Sequence, residues 1–331
     1  MEEKIFDFKT ARKTFSIIGF SLCIYIAVSI ITEIVFLNVP ALIFGKDNWY
    51  YNTSWGQWIM NFVPMYLFAL PVFAILMRLL PAQKPAQNTL SFGKMFVLFA
   101  ITYAVLSAGN MIGVVSAFVF SGGKAQNPIN ELAMDANPLK VVVMVLLAPL
   151  FEELIFRKLL LDRIGKYGES TAIILSAFAF GLLHKNLFQL FYAFGVGLIF
   201  GFIYMRTGKI RYTVILHMIV NFMGSVIAPL ILKFADIDKL LNLDVIVNTQ
   251  ELYSVLFESI PGLLVYLMYS SLLTGITVAG TVLFIVKLTR LRWNKTELEL
   301  PRGTAFKTAY LNAGIICYVV VCSLFIILSL I

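Results

Sequence analysis

The sequence predicts an all-α fold, a polytopic membrane helix bundle with about nine transmembrane helices. Hydrophobic residues make up 60% of the 331 residues, and only 13% of the residues are charged. Soluble domains carry roughly 25% charged residues, so this composition is typical of a membrane protein. The mean hydropathy of +0.88 agrees with that reading. Long apolar runs separated by charged stretches recur along the chain, which predicts many membrane crossings.

Nine apolar segments approach or exceed the length of about 20 residues that a helix needs to cross a bilayer. They are 14–38, 58–80, 94–120, 139–164, 170–184, 187–205, 211–232, 262–288 and 309–331. The fifth segment is short and lies very close to the sixth. Prolines inside these segments predict kinks, which neighbouring helices can accommodate in a membrane. These prolines are Pro64, Pro71, Pro149 and Pro229.

The basic residues predict the orientation of the chain. If the N-terminus lies in the cytoplasm and the spans alternate, 20 of the 26 Lys and Arg residues fall on the cytoplasmic side. This asymmetry follows the positive-inside rule and places the C-terminus outside. Basic residues at span ends explain the net charge of +8, so no nucleic-acid partner is expected. No organelle address is evident, which favours a bacterial plasma membrane.

Two adjacent glutamates, Glu152 and Glu153, lie in the middle of the fourth span. A charged side chain at mid-bilayer costs about 2.5–3.5 kcal/mol on insertion scales, so the pair indicates a functional site or a neutralising partner. Glu153 and Arg157 are four residues apart and share a helix face. Glu152 lies about 100° around the helix. One carboxylate is therefore expected to pair with Arg157, and the other is free to take a proton. A purely structural ion pair is the alternative.

Both histidines of the chain also lie in apolar segments. His184 follows Phe180 by four residues, and His217 precedes Asn221 by four, so each pair shares a helix face. Either histidine alone could be a hydrogen-bonded packing residue. Their occurrence with the glutamates and Arg157 in four consecutive spans favours one polar site inside the bundle.

Three ordered motifs carry a resemblance to a known family. They are Glu152-Glu153-x-x-x-Arg157, Phe180-x-x-x-His184 and His217-x-x-x-Asn221. Together they resemble the CPBP family, which comprises CAAX proteases and bacteriocin-processing enzymes and is also called Abi. The resemblance covers roughly 139–225. One departure is Lys158, where the family often has glycine.

The resemblance implies an intramembrane endopeptidase of the glutamate or metallo type. It implies accessory transmembrane helices at 1–138, followed by a four-helix catalytic core at 139–233. Residues 234–331 would add an outer loop and two C-terminal transmembrane helices. The implied substrate is a membrane-bound or lipid-modified peptide, and membrane lipid is the other expected partner. In bacteria the resemblance also implies bacteriocin processing or immunity.

The same resemblance, together with the needs of peptide hydrolysis, assigns roles to the site residues. Hydrolysis requires a base for water and donors for the oxyanion. We expect Glu152 to be the base, with Glu153 held by the arginine of its motif. His184 would bind or orient the water. His217 and Asn221 would stabilise the oxyanion.

Zinc is an equally compatible alternative to a metal-free site. Glu152, His184 and His217 would form a three-ligand zinc site with an open position. The family is commonly called a metalloprotease, yet the chain has no HExxH motif. The residues alone leave the choice open.

Two other function classes also use such residues. A proton-coupled transporter would employ the carboxylates and histidines as a relay, although the sequence shows no two related halves. A non-catalytic membrane scaffold or immunity protein would retain the motifs without the reaction.

Helix rise does not place the three motifs at one depth. Glu153 lies about 21 Å below the outer end of its span, whereas His184 lies at the outer end of the short fifth span. His217 lies about 9 Å from the inner end of its own span. Tilt, a kink at Pro149 or a fifth helix that starts deeper would each reconcile these depths.

Overall fold

The computed structural model describes residues 6–85, 87–135, 137–236 and 249–331, without the side chains of residues 129, 131 and 249–256. These residues form helices and loops with no β-strand, which confirms the all-α prediction. The principal helices in chain order are α1 Phe8–Phe44, α2 Trp49–Asn52, α3 Ser54–Met77, α4 Phe92–Ser121, α5 Pro128–Met134, α6 139–164, α7 Glu169–Leu183, α8 Leu187–Thr207, α9 Ile210–Phe234, α10 Thr249–Leu288 and α11 Ala313–Leu328.

Six helices in the described part of the chain are long and apolar enough to cross a membrane. They are Phe8–Phe44, Ser54–Met77, Phe92–Ser121, Leu187–Thr207, Ile210–Phe234 and Phe257–Leu288. α7 and α11 are apolar but shorter, and α6 carries several charged residues in its middle. The multi-pass membrane architecture is thereby confirmed, whereas the count of nine spans is not.

The eighth span begins earlier than predicted. α10 starts at Thr249, so the predicted start at 262 and the predicted loop over 249–261 are wrong. Pro261 lies inside this helix. A membrane helix tolerates proline where neighbouring groups form hydrogen bonds with the backbone carbonyl that proline leaves unpaired. The remainder of the predicted outer loop includes 237–248, which lies outside the described residues.

The first and last spans also differ in length from their predictions. α1 runs to Phe44, beyond the predicted end at 38, and contains Pro40. α11 begins at Ala313, where Asn312 caps the helix by accepting from the backbone N–H of Ile315. The predicted start at 309 was therefore four residues early, because polar capping residues lie inside an otherwise apolar run.

Widened helical turns accompany three of the prolines that predicted kinks. Each widened turn ends two residues before a proline: Pro64–Ala69 before Pro71, Val141–Leu147 before Pro149, and Met223–Ile227 before Pro229. Proline has no N–H, so a carbonyl one turn earlier loses its partner and the helix widens there. A second wide stretch in α6, Leu154–Leu161, follows the glutamates directly. Glu152 and Glu153 thus lie on a short regular segment between two wide ones.

α8 is the central helix that supports the polar site, and it packs against α4 and α7. Gly109 and Gly113 of α4 allow the backbones to approach closely. A Cβ at these positions would lie 2.5 Å from Tyr192 and 2.7 Å from Phe188, both backbone contacts on α8. Close small-residue packing of this kind fixes the relative positions of the helices around the site.

Candidate active site

Arg157 is the fixed centre of the polar cluster, and its side chain is fully buried in α6. Its Nε donates to Glu153 Oε2 at 3.0 Å, and its Nη1 donates to Ser176 Oγ at 3.1 Å. The guanidinium also lies 5.3 Å from the Phe180 ring centroid and 6.0 Å from that of Phe200. Because Glu153 is also fully buried, the two charges are removed from solvent together. Such a pair is costly to break, so it holds Glu153 in one position.

His217 lies between the two carboxylates. Its Nδ1 is 3.2 Å from Glu153 Oε1, and its Nε2 is 3.7 Å from Glu152 Oε2. A carboxylate paired with an arginine only accepts, so the Glu153 contact requires a proton on Nδ1. The Arg157–Glu153 pair therefore orients the imidazole of α9, and its Nε2 is directed towards Glu152.

Glu152 differs from Glu153 in its surroundings. Its side chain is 19% exposed, whereas that of Glu153 is fully buried. Glu152 lines a cavity of about 440 Å³, together with His184, His217 and Asn221. Adjacent residues on one helix thus supply one anchored carboxylate and one accessible carboxylate, as the 100° offset between them predicts.

His184 and Asn221 reach the cavity from the ends of their motifs. His184 caps α7, with Nδ1 2.9 Å from the carbonyl oxygen of Phe180. That carbonyl accepts the Nδ1 proton, which leaves Nε2 as an acceptor. Asn221 Nδ2 donates to the carbonyl of Met144 in the widened turn of α6 at 2.8 Å, which leaves its second amide hydrogen available. The structure therefore places four of the six predicted site residues on this cavity, and the buried Glu153–Arg157 pair contacts the cavity residue His217 from behind.

Sequence reasoning missed Ser176, which completes the anchor. Its hydroxyl accepts from Arg157 and donates to the carbonyl of Phe156 at 2.9 Å. Ser176, Phe180 and His184 follow one another at intervals of four on α7 and share one face. A polar residue on the face that carries the histidine was the signal that could have identified it.

Tyr66 of α3 was also missed, and it comes from outside the three motifs. It lines the same cavity, and its ring centroid lies 4.7 Å from that of Phe151. The residue is 6% exposed, and its hydroxyl has no hydrogen-bond partner among the described residues. No local spacing relates α3 to the motifs, so only the fold places Tyr66 here.

The Tyr66 hydroxyl supports a stability prediction. A buried hydroxyl without a partner costs free energy, so Tyr66→Phe should leave the unfolding temperature unchanged or raise it. Tyr204→Phe is the matched control, because the buried Tyr204 hydroxyl donates to Asp162 Oδ1 at 2.7 Å. That control should lose about 1 kcal/mol or more. Thermal unfolding in detergent measures both variants, and equal losses would show that Tyr66 has a partner.

The predicted zinc ligands do not form a complete set as placed. In the part of the chain that the structure describes, no group of three or more His, Cys, Asp or Glu side chains is positioned to hold a metal ion. Glu152 and His217 approach to 3.7 Å, and the contact of His184 Nδ1 with a carbonyl leaves His184 Nε2 able to bind a metal. We therefore derive no step through a metal, and the zinc site of Glu152, His184 and His217 stays a prediction.

The fold and the site together define a multi-pass membrane protein with a carboxylate–imidazole cluster inside its helix bundle. Residues 135–223 match the family model described as "Type II CAAX prenyl endopeptidase Rce1-like". A protein of Bacillus subtilis (strain 168) named "Putative membrane peptidase YdiL" is 26% identical over 175 residues, which cover 50% of this chain and 69% of the relative. No solved structure matches the chain. The two matches confirm the resemblance to the CPBP family and support a membrane endopeptidase of the CAAX type.

Proposed function

We propose that this protein is a glutamate-type intramembrane endopeptidase that hydrolyses a peptide bond in a membrane-bound or lipid-modified peptide. One observation carries the proposal: Glu152 is accessible in a cavity beside His217, whose other nitrogen is held by the buried Glu153–Arg157 pair. A general base, an oriented imidazole and a water-accessible cavity are the requirements of hydrolysis by an activated water.

In the proposed reaction Glu152 accepts a proton from water, and the oxygen of that water adds to the scissile carbonyl carbon. His184 Nε2 accepts a hydrogen bond from the water and orients it. The oxyanion accepts a hydrogen bond from the second Nδ2–H of Asn221. It accepts another from His217 Nε2–H when both nitrogens of that imidazole carry a proton. Collapse of the intermediate breaks the C–N bond, and Glu152 returns the proton to the leaving amine.

The cavity lining supports a substrate with both peptide and lipid character. Polar side chains such as Asn110 and Gln189 share the cavity with apolar ones such as Met65, Leu106 and Leu273. Several of these residues belong to α3, α4 and α10, outside the segment that matches the family model. The accessory helices are therefore proposed to select the substrate.

We further propose a bacterial plasma membrane, a cytoplasmic N-terminus and a link to bacteriocin processing or immunity.

The test is a cleavage assay in liposomes with paired prenylated and unmodified peptides of the same sequence. Mass spectrometry of the products identifies the bond that is cut. Cleavage of the prenylated peptide alone would establish lipid-dependent recognition. No cleavage of either peptide, together with proton-coupled flux in the same liposomes, would favour the transporter alternative.

Metal dependence is a separate prediction of the proposal. A glutamate-activated water requires no metal, so cleavage should persist after dialysis against a chelator. Elemental analysis of the purified protein accompanies the assay. Stoichiometric zinc, with cleavage lost on chelation and restored by zinc, would instead establish the alternative ligand set of Glu152, His184 and His217.

A further inference from the structure

A second pocket, separate from the carboxylate cavity, lies at the ends of the helices. It has a volume of about 290 Å³ and lies where the chain after α3, helix α6 and the α8–α9 turn meet. Four of its lining residues are basic: Lys84, Lys158, Lys209 and Arg211. None of the described residues that line it is acidic. Like charges around one pocket repel each other unless an anion occupies it.

Most of this charge is not neutralised by the protein. Lys158 has an acidic partner, because its Nζ lies 2.6 Å from Asp162 Oδ2. Among the ion pairs of the described residues, none includes Lys84, Lys209 or Arg211. Within the described part of the chain, the Arg211 side chain donates only to the hydroxyl of Tyr212, at 3.1 Å. The pocket therefore presents three uncompensated positive charges.

The backbone that carries these charges is fixed by hydrogen bonds. Gln87 Nε2 donates to the carbonyl of Gly208 at 3.1 Å, and the backbone N–H of Asn88 donates to Thr207 at 3.0 Å. The Asn88 side chain donates to the carbonyl of Arg206 at 2.9 Å. The segment after α3 is thus held against the α8–α9 turn. A preformed arrangement of this kind reduces the entropy cost of binding.

We infer that this pocket binds the phosphate of an anionic phospholipid headgroup. Lysine supplies compact positive charge, and arginine supplies a planar fork, which together suit phosphate oxygens. The pocket lies at span ends, where headgroups are found, and the predicted orientation places it on the cytoplasmic side. The positive-inside rule explains why basic residues lie on that side in general. It does not require that four of them line one pocket whose backbone is held by hydrogen bonds. This site goes beyond the proposed peptidase activity and does not depend on it.

The test compares two charge-matched variants of the full chain. Lys84→Gln with Lys209→Gln removes two pocket charges, and Lys287→Gln with Lys295→Gln removes two charges from the same predicted side outside the pocket. No hydrogen bond or ion pair in the described structure uses these four side chains, so both variants should fold. Circular dichroism and the elution profile in detergent check that they do.

The readout is binding of phosphatidylglycerol by native mass spectrometry, with phosphatidylcholine as the neutral reference. The pocket variant should bind phosphatidylglycerol about 30-fold more weakly, while the control variant keeps the affinity of the parent protein. Equal loss in both variants would overturn the inference, because general surface charge would then explain binding. No loss in either variant would overturn it as well.

A competition arm identifies the source of the phosphate. Inorganic phosphate at millimolar concentration should displace little phosphatidylglycerol if the pocket takes a membrane headgroup. Complete displacement, together with equal thermal stabilisation by inorganic phosphate and by the lipid, would show that the ligand is a free phosphate compound and would overturn the lipid assignment.

Discussion

Replacing Glu152 with glutamine should abolish peptide cleavage and leave the protein folded. The amide keeps the size of the side chain but cannot accept a proton from water. Glu152 is partly exposed in the cavity, and its nearest ionic neighbour is His217 Nε2 at 3.7 Å, so little structure depends on its charge. Loss of a positioned general base typically lowers the rate by about 10²–10⁴-fold. The liposome cleavage assay measures the rate, and thermal unfolding measures the stability.

The neighbouring glutamate supplies the matched control. Glu153→Gln makes the same chemical change one residue along α6, but it leaves Arg157 charged and fully buried. Removing one partner of such a pair costs about 3–5 kcal/mol, so this variant should unfold at a clearly lower temperature. Glu152→Gln should therefore lower the cleavage rate, whereas Glu153→Gln should lower the stability of the fold. If Glu152→Gln cleaves the peptide at the rate of the parent protein, Glu152 is not the base. A loss of rate that is explained by a lower unfolding temperature would also contradict that role.

Local spacing was enough to predict the parts of the site that lie on one helix. Glu153 and Arg157 are four residues apart in sequence, and the structure joins them at 3.0 Å. The same rule placed Phe180 beside His184, whose ring centroids are 5.0 Å apart. Such predictions succeed because the helix period fixes which side chains share a face, whatever the surrounding fold does.

Contacts between helices were not predictable in the same way. His217 was expected beside Asn221 at the oxyanion or beside Glu152 in a zinc site, but nothing in the sequence placed its Nδ1 on Glu153, 64 residues earlier. The helix rise per residue, applied to straight spans, even placed the three motifs at different depths in the membrane. In the structure α7 is only 15 residues long and starts just after α6 ends, while α6 contains two wide stretches. Tyr66 was hidden for the same reason, since only packing brings α3 to the cavity.

Replacing Arg157 with methionine should destabilise the protein about as strongly as Glu153→Gln does. Glu153 would remain buried with only His217 as an ionic partner, and Ser176 would lose the donor at 3.1 Å. The expected loss is about 3–5 kcal/mol in the free energy of unfolding. Unfolding in detergent, followed by circular dichroism against denaturant, measures it. Methionine retains most of the side-chain length, so the loss reports charge and hydrogen bonding more than an empty volume.

Adding Glu153→Leu to Arg157→Met should restore stability without restoring cleavage. Apolar residues of similar volume often replace a buried ion pair at little or no net cost, because neither charge then has to be desolvated. The double variant should therefore be more stable than either single one, and the double-mutant cycle gives the coupling directly. The double variant should nevertheless lack cleavage, since His217 Nδ1 no longer has the carboxylate that lies 3.2 Å away in the parent protein. A double variant that cleaves at the parent rate would show that the Glu153–Arg157 pair only supports the fold. A double variant as unstable as Arg157→Met would show instead that the loss does not come from an unpaired buried charge.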